Sequence, residues 1–477
     1  MTFIAWHLLL PFIIVLLLLV FRVAGNHTRV IAILLQTAYL FSALALAVSS
    51  DGYAIPHLGS ATLEVPYLHL KFSVGGLYYL FSTLVAIVSL FALVSSDRQN
   101  HRYNNTLSIR LILLVGLLNL FLAADNVITL YLFWELMIIP LLMLLIYNLP
   151  VAAKSILRNL VTSFLVSSSA LLFVIIILIS RGQSFNVLFT SILGLHSSLP
   201  WEELGGMTSI VLISLGVVVL IRFGGFPFQY NYIRVNSFLL DVRSRVGLAL
   251  FSISGAFFFL KIVTLTQNLT PFVWSVSLIC ISIGLVVAVA HLLHRGATAV
   301  GHGHFWSLNV HLLLLGGITS NSSVIGSALL LYILGIVGFL GLHLIDDALL
   351  ASKRHDLMEV TSENVNREFM WWLTLFVLLF VGVPTSAIFI GRFFLLSNLF
   401  GFSLVIAVFT TIASASLVYY LYTIYRTRSV MARQCDLVWG GYQRVSLGIL
   451  VLSTVLVTIF PQTIHNIVEQ HLLVFIR

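Results

Sequence analysis

Apolar residues in this chain come in long unbroken runs, not in the two-residue alternation of a half-buried strand or the one-sided stripe of a surface helix. Runs of about 17–25 apolar residues bounded by short polar stretches have the length of helices that cross a bilayer. Read this way, the chain predicts fourteen spans, at roughly 3–21, 30–48, 74–95, 107–124, 127–148, 157–179, 208–228, 246–265, 272–293, 298–317, 324–345, 369–391, 400–424 and 445–461. The tightest join is Ala124-Asp125-Asn126, between spans 4 and 5. The first run begins at once and lacks a basic leader, so it reads as a first transmembrane helix and not as a cleaved signal.

Composition agrees with this pattern: 60% of residues are hydrophobic and 8% charged, more apolar surface than a water-soluble chain of 477 residues can hide. The net charge of +8 has to be read loop by loop and does not point to nucleic acid. Loops that follow odd-numbered spans, counted with Arg158 at the very start of span 6, hold 17 of the 24 basic residues, and even loops and the C-terminus hold only Lys71, Arg181 and Arg477. That asymmetry supports the span count and puts the odd loops on the positive-inside face, with both termini opposite. Cys280 and Cys435 offer neither a disulfide framework nor metal-ligand spacing. The longest loops, 181–207 and the charged connector 346–368, are too short for a catalytic domain, and no phosphate-cradling glycine motif is present. Any redox cofactor or nucleotide therefore belongs to a partner.

Against this background Glu135 stands out, as the one carboxylate among sixteen near the middle of a membrane-length run. A carboxylate there costs several kcal/mol unless it is paired, hydrated or protonated, so it is a functional-site candidate with proton or ion movement as the leading reading. Arg222, in span 7, is its natural partner, because arginine keeps its charge. Span 7 is interrupted by Gly224-Gly225-Phe226-Pro227 and span 12 by Gly382-Val383-Pro384, with Arg392 following. Two broken helices, each beside an arginine, suggest internal repeats at about 107–265 and 272–424. Gly and Pro are also frequent in membrane helices, where they mean only kinks, and both readings stay open. Lys261 and Arg110, near span ends, fit snorkelling side chains. His291, His294, His302, His304 and His311 crowd around spans 9 and 10 without the carboxylate or cysteine help a metal would want. Of these, His302 and His304 are kept as proton-path candidates.

The residues around Glu135 carry a family resemblance. Phe133-Trp134-Glu135-Leu136-Met137, with Pro140 following, resembles the fifth-helix signature of chain 4 of NADH:ubiquinone oxidoreductase, respiratory complex I. Phe121 to Leu132, Phe72-Ser73-Val74-Gly75-Gly76-Leu77 and Arg158 to Ser169 are similar to that family's approach to the fifth helix, its segment before the third and its opening of the sixth. The likeness is specific over about 72–170 and architectural beyond. It implies an all-α polytopic membrane protein of about 14 transmembrane helices, with antiporter-like inverted repeats and broken helices 7 and 12. It also implies a membrane-arm subunit that couples NADH oxidation and quinone reduction elsewhere in the complex to proton translocation, an enzyme only as part of that assembly. NAD, FMN, iron–sulfur clusters and ubiquinone would sit on partner subunits, with none on this chain. Its partners would be the other membrane-arm subunits and membrane lipids. High hydrophobicity and divergence from bacterial-like motifs favour the mitochondrial inner membrane, with odd loops on the matrix side and termini on the intermembrane-space side.

Carried over position by position, the resemblance puts the family's essential fifth-helix glutamate on Glu135 and its seventh-helix lysine on Arg222. The tenth-helix histidine falls on His304 and the twelfth-helix Gly-Glu on Gly391-Arg392. The departures are serious: arginine stands for the seventh-helix lysine and the twelfth-helix glutamate, the eighth-helix lysine falls on Ser254, and the eleventh-helix histidine has no counterpart near Tyr332. Arginine does not release a proton at working pH, so the lysine relay does not transfer intact. Lys261, seven residues and about 10 Å along the same helix face from Ser254, is a candidate displaced relay base. Two rival functions fit the same residues: a cation/proton antiporter subunit, and a structural membrane subunit that has lost pumping.

Overall fold

The computed structural model describes residues 2–24, 28–50, 61–65, 70–95, 101–150, 153–180, 207–239, 241–263, 271–296, 298–319, 321–354, 363–384, 386–434 and 441–459. Each of the fourteen predicted runs coincides with helix. Among the described residues nine helices are long and apolar enough to cross a membrane, and four more are shorter apolar helices. The chain is an all-α polytopic membrane protein, and among the described residues two short strands pair beside the helices.

Two compact units divide at Leu278/Ile279. The first holds α1 (Thr2–Ala24), α2 (Thr28–Ser50), α3 (Gly76–Ser95), α4 (His101–Ala123), α5 (Val127–Asn148), α6 (Lys154–Ser180), α7 (Met207–Phe223), α8 (Gln229–Phe238) and α9 (Val242–Ile262). Helix α9 is its centre, buried on nearly every residue and packed against α3, α4, α5 and α7. It is apolar around its whole circumference, as a helix enclosed on all sides must be. The hairpin, which the apolar runs do not predict, pairs β1 (Ala61–Val65) with β2 (Leu70–Val74) in antiparallel register, Leu63 opposite Phe72. Its second strand docks on the turn between α4 and α5: Phe72 bridges Ala124, and the Asp125 amide donates to the Lys71 carbonyl at 2.9 Å.

The second unit holds α11 (Ala299–Ile318), α12 (Ser322–Arg354), α13 (Glu363–Val381), α14 (Ala387–Phe402), α15 (Leu404–Gln434) and α16 (Gly441–Ile459); α10 (Pro271–Arg295) carries the unit boundary. Helix α12 is its centre, packed against α11, α14 and α16. On α10, α15 and α16 many large apolar side chains point outward, among them Ile279, Val286, Leu404, Val405 and Leu452. That surface is ordinary against hydrocarbon and untenable in water.

Both expected breaks exist. Helix α7 stops at Phe223, Gly224 takes φ +79°, the Phe226–Pro227 peptide is cis, and α8 begins at Gln229. Span 12 is divided into α13 and α14 by Gly382, at φ +92°, and Pro384. Several boundaries differ from the sequence reading, α15 for one running to Gln434, past the expected end at 424. Helix α14 continues to Phe402, past the expected end at 391, and the chain turns at an extended Ser403; apolar residues on both sides of that join leave no hydropathy dip to mark it. The charged connector does not begin at 346: Asp346 and Asp347 lie inside α12. An acidic pair reads as a helix end by hydropathy, but Asp346 is paired with a cation and stays in the helix.

Candidate functional site

Helix α5 starts at Asn126, whose side chain accepts from the Thr129 amide at 2.7 Å, and its apolar run carries Glu135 two turns in. Pro140 leaves the Leu136 carbonyl without its helical donor, one residue beyond Glu135. Arg222 lies in the last turn of α7, directly before the break. The structure brings the two together: Arg222 Nη2 is 2.7 Å from Glu135 Oε1.

Serines of α6 complete the arrangement. Arg222 Nη2 donates to Ser168 Oγ at 2.7 Å, and Arg222 Nε donates to Ser167 Oγ at 2.5 Å. Ser168 in turn donates to the carboxylate, 2.8 and 2.7 Å from its two oxygens. The guanidinium is caged by the rings of Trp134, Phe164 and Phe251, 5.0, 5.4 and 5.4 Å from its carbon, a cation–π environment that replaces lost hydration. Tyr232 of α8 donates to the Arg222 carbonyl at 2.8 Å, tying the far side of the break to the end of α7. Exposure is unequal: the Arg222 side chain is 1% exposed and Glu135 26%, so the anion opens toward the outside of the unit beside Leu132 and Ile139 while the cation is sealed. Such a site can hold a carboxylate in charge balance, or release it outward, without moving the arginine.

The other candidates lie elsewhere. Lys261, at the end of α9, donates from Nζ to the Ala124 carbonyl at 2.8 Å and lies 5.1 Å from the Phe257 ring. Its charge also acts on Asp125 at the α4–α5 turn, where burial holds the carboxyl above its usual value and Lys261 and Lys71 pull it back. Between Lys261 and Ser254 the space is aromatic. Trp134 packs on Phe258 at 4.7 Å and on Phe121 at 5.0 Å, and donates from Nε1 to Ser254 at 2.9 Å. His304, in the second unit, stacks on His291 at 4.6 Å. Arg392 donates to the Val381 carbonyl at 2.7 Å and to the Phe380 carbonyl at 3.4 Å, the free end of α13. Arg110 donates to the Met143 carbonyl.

Ser167, Ser168 and Trp134 were not singled out from sequence, though the serine run 167–169 inside an apolar helix was a usable signal. Asp346, Arg428 and Tyr420, which surround His302, were also missed, and the three-residue spacing of His343 and Asp346 on one helix face was the available clue. Among the described residues no three His, Cys, Asp or Glu side chains gather as a metal would require.

No protein-family model matches the chain, and neither does any curated protein. Solved structures do. A chain of respiratory complex I from Thermus thermophilus superposes with a TM-score of 0.81 at 17% identity, over 99% of both chains. A chain of the membrane-bound sulfane sulfur reductase, an archaeal respiratory membrane complex, gives 0.81 at 15% identity over 99% of this chain and 98% of that one. A chain of the Mrp complex from a Dietzia species gives 0.76 at 14% identity, again over 99% and 98%. The fold is thus shared, end to end, with membrane subunits of three different multi-subunit assemblies.

Proposed function

We propose that this chain is a membrane-arm subunit of a proton-translocating NADH:ubiquinone oxidoreductase of the mitochondrial inner membrane, with its basic odd loops toward the matrix. The observation that carries the reading is the 2.7 Å pair between Arg222 at a helix break and Glu135 in the Phe-Trp-Glu-Leu-Met segment. Discontinuous membrane helices with a charge at the break are where transporter folds place their ion sites. The end-to-end fold likeness to respiratory and antiporter-type assemblies supports the same reading. NAD, FMN, iron–sulfur clusters and ubiquinone act on partner subunits, and this chain contributes charge movement only.

In this scheme Glu135 alternates between its hydrogen bonds from Arg222 and Ser168 and the outward opening at α5, where a neighbouring subunit faces it. Arg222 is the fixed counter-charge and not a proton carrier. Protons moved per NADH oxidised by the intact complex, native against Glu135→Gln, test this. The expected result is a loss of at least tenfold in proton movement, and an unchanged ratio overturns it.

A specific observation favours a second reading, a structural subunit that has lost pumping. Where the resemblance puts a relay lysine, Ser254 is held by Trp134 in a cluster of aromatic rings. An unchanged ratio in Glu135→Gln selects that reading. An antiporter subunit is separated from both by its company: it would purify without an NADH-oxidising, quinone-reducing assembly.

A further inference from the structure

A second buried charge centre lies within the second unit, and neither Glu135 nor Arg222 takes part in it. His302, fully buried in the first turn of α11, has both ring nitrogens engaged: Nε2 is 2.9 Å from Asp346 Oδ2 of α12, and Nδ1 is 2.5 Å from the Tyr420 hydroxyl of α15. Arg428, two turns beyond Tyr420, places Nη2 2.7 Å from both Asp346 oxygens. The titratable and charged groups facing His302 are Asp346 and His343 from α12 and Tyr420 from α15, with Arg428 behind the carboxylate. His304 turns instead to His291 of α10.

The hydrogen-bond chemistry fixes the direction of each contact. Arg428 keeps Asp346 an acceptor-only carboxylate, so Nε2 of a neutral His302 must donate to it and Nδ1 must accept from the Tyr420 hydroxyl. A proton arriving at Nδ1 gives an imidazolium that donates both ways, and the Tyr420 oxygen then becomes the acceptor. Tyr420 is thus built to relay: it gives its hydroxyl proton to Nδ1 and takes one from a hydronium ion, which leaves water, for a net gain of one proton on the imidazole. Gly301 is packed against both neighbours: a Cβ there would sit 2.2 Å from the Gly296 carbonyl oxygen and 3.1 Å from the Tyr420 oxygen. Place in the chain says which water. Helix α11 starts, and α12 and α15 end, at the face the sequence reading makes basic: Arg295, Lys353, Arg354, Arg426 and Arg433 lie in the C-terminal parts of α10, α12 and α15.

We propose that His302, Asp346, Tyr420 and Arg428 form a proton-loading site at the basic-loop face, with His302 as the proton carrier, Tyr420 as the relay, and Asp346 and Arg428 as positioning residues. The inference rests on the proton-moving reading above and names a site for it that is separate from Glu135.

The test uses the whole complex reconstituted in liposomes and infrared difference spectra across a pH jump, native minus His302→Gln. An imidazole band that responds to the pH jump is expected, with a tyrosine hydroxyl band moving alongside it. Asp346→Asn changes that imidazole response, because the carboxylate that faces Nε2 is gone. Tyr420→Phe keeps the ring packing, leaves the imidazole band in place and slows proton uptake from the basic-loop side at least tenfold. Absence of a His302 band in the native complex overturns the site, as does a titration indifferent to Asp346→Asn or an uptake rate indifferent to Tyr420→Phe. Glu135→Gln leaves the His302 band unchanged. A native complex that moves no protons while His302 still titrates sinks the functional reading and leaves the site standing.

Discussion

Arg222 ends the helix before the first break, and Arg392 lies in the second turn of the helix after the second. Sequence makes them look equivalent: each is a lone cation in an apolar run, beside a glycine and a proline. Their guanidinium groups find different chemistry. Arg222 reaches across to two other helices and meets a carboxylate and two serines, with its charge enclosed by three rings. Arg392 reaches back to the end of α13 and holds two main-chain carbonyls that the break leaves without helical donors. One arginine joins separate elements through a titratable partner. The other closes a helix end, a role any well-placed donor of the right length could fill. A break with an arginine beside it is therefore not itself an ion site; the group that the arginine meets decides.

The largest expected effect probes the first arginine. Arg222→Met leaves the Glu135 charge against apolar surroundings and should destabilise the purified protein by about 3 kcal/mol, the lower end of what breaking a buried pair costs, since Glu135 is partly exposed. Adding Glu135→Leu should recover most of that loss, because the uncompensated charge goes with it. Thermal unfolding in detergent of the two single variants and the double reads this directly, and strictly additive losses would break the assignment of a coupled pair. Arg392→Met comes next. It removes one good and one long hydrogen bond to carbonyls, about 2 kcal/mol, with no carboxylate whose removal rescues it. Protons moved per NADH should be unchanged. A loss equal to that of Glu135→Gln would erase the distinction between the two sites.

The glycines that make the breaks sharpen the comparison by a smaller amount. Gly224 and Gly382 both sit at positive φ, so alanine at either is strained by about 1–2 kcal/mol. Gly224→Ala should be the worse of the two. A Cβ there meets the Tyr232 ring at 3.3 Å, and that ring is held by its hydroxyl on the Arg222 carbonyl. At Gly382 the nearest atom is the Arg392 Nη1, at 3.2 Å, the far end of a flexible side chain and not a ring. Equal losses in unfolding midpoint would mean that backbone strain alone sets both values.

Much of this was legible in the residues. Long apolar runs marked the helices because membrane length is a one-dimensional property. Glu135 declared itself because a carboxylate in such a run is costly wherever the helix packs, and both breaks showed in their Gly and Pro. Charge alone made Arg222 the natural partner of Glu135, but the residues did not say that the two meet. Glu135 and Arg222 are 87 positions apart, and nothing local says that α5, α6 and α7 converge there. Ser167 and Ser168 left only the serine run as a signal, since serines in membrane helices mostly bond their own helix's carbonyls, as Ser163 and Ser169 do and as these two also do. Asp346 was misplaced for the converse reason: hydropathy counts it as a helix end, and only Arg428, 82 residues on, makes it a helix interior. The hairpin at 61–74 escaped because five-residue strands leave no mark at membrane length.

The smallest effect is expected at Trp134, and it bears on why the Arg222 end of the first site is sealed. Trp134 does two things at once: its ring lies 5.0 Å from the Arg222 guanidinium carbon, and its Nε1 donates to Ser254. Trp134→Phe keeps an aromatic face for the cation and gives up the hydrogen bond, so the loss should be near 1 kcal/mol. Ser254 retains its own bond to the Phe251 carbonyl at 2.6 Å and is not stranded. Once Trp134 is phenylalanine, Ser254→Ala should add little, because the donor that needed the serine is gone. If instead the second change costs as much alone as in combination, Ser254 is held by something other than Trp134. The aromatic barrier between Arg222 and Lys261 would then not depend on this contact, and water could enter beside it without the tryptophan moving.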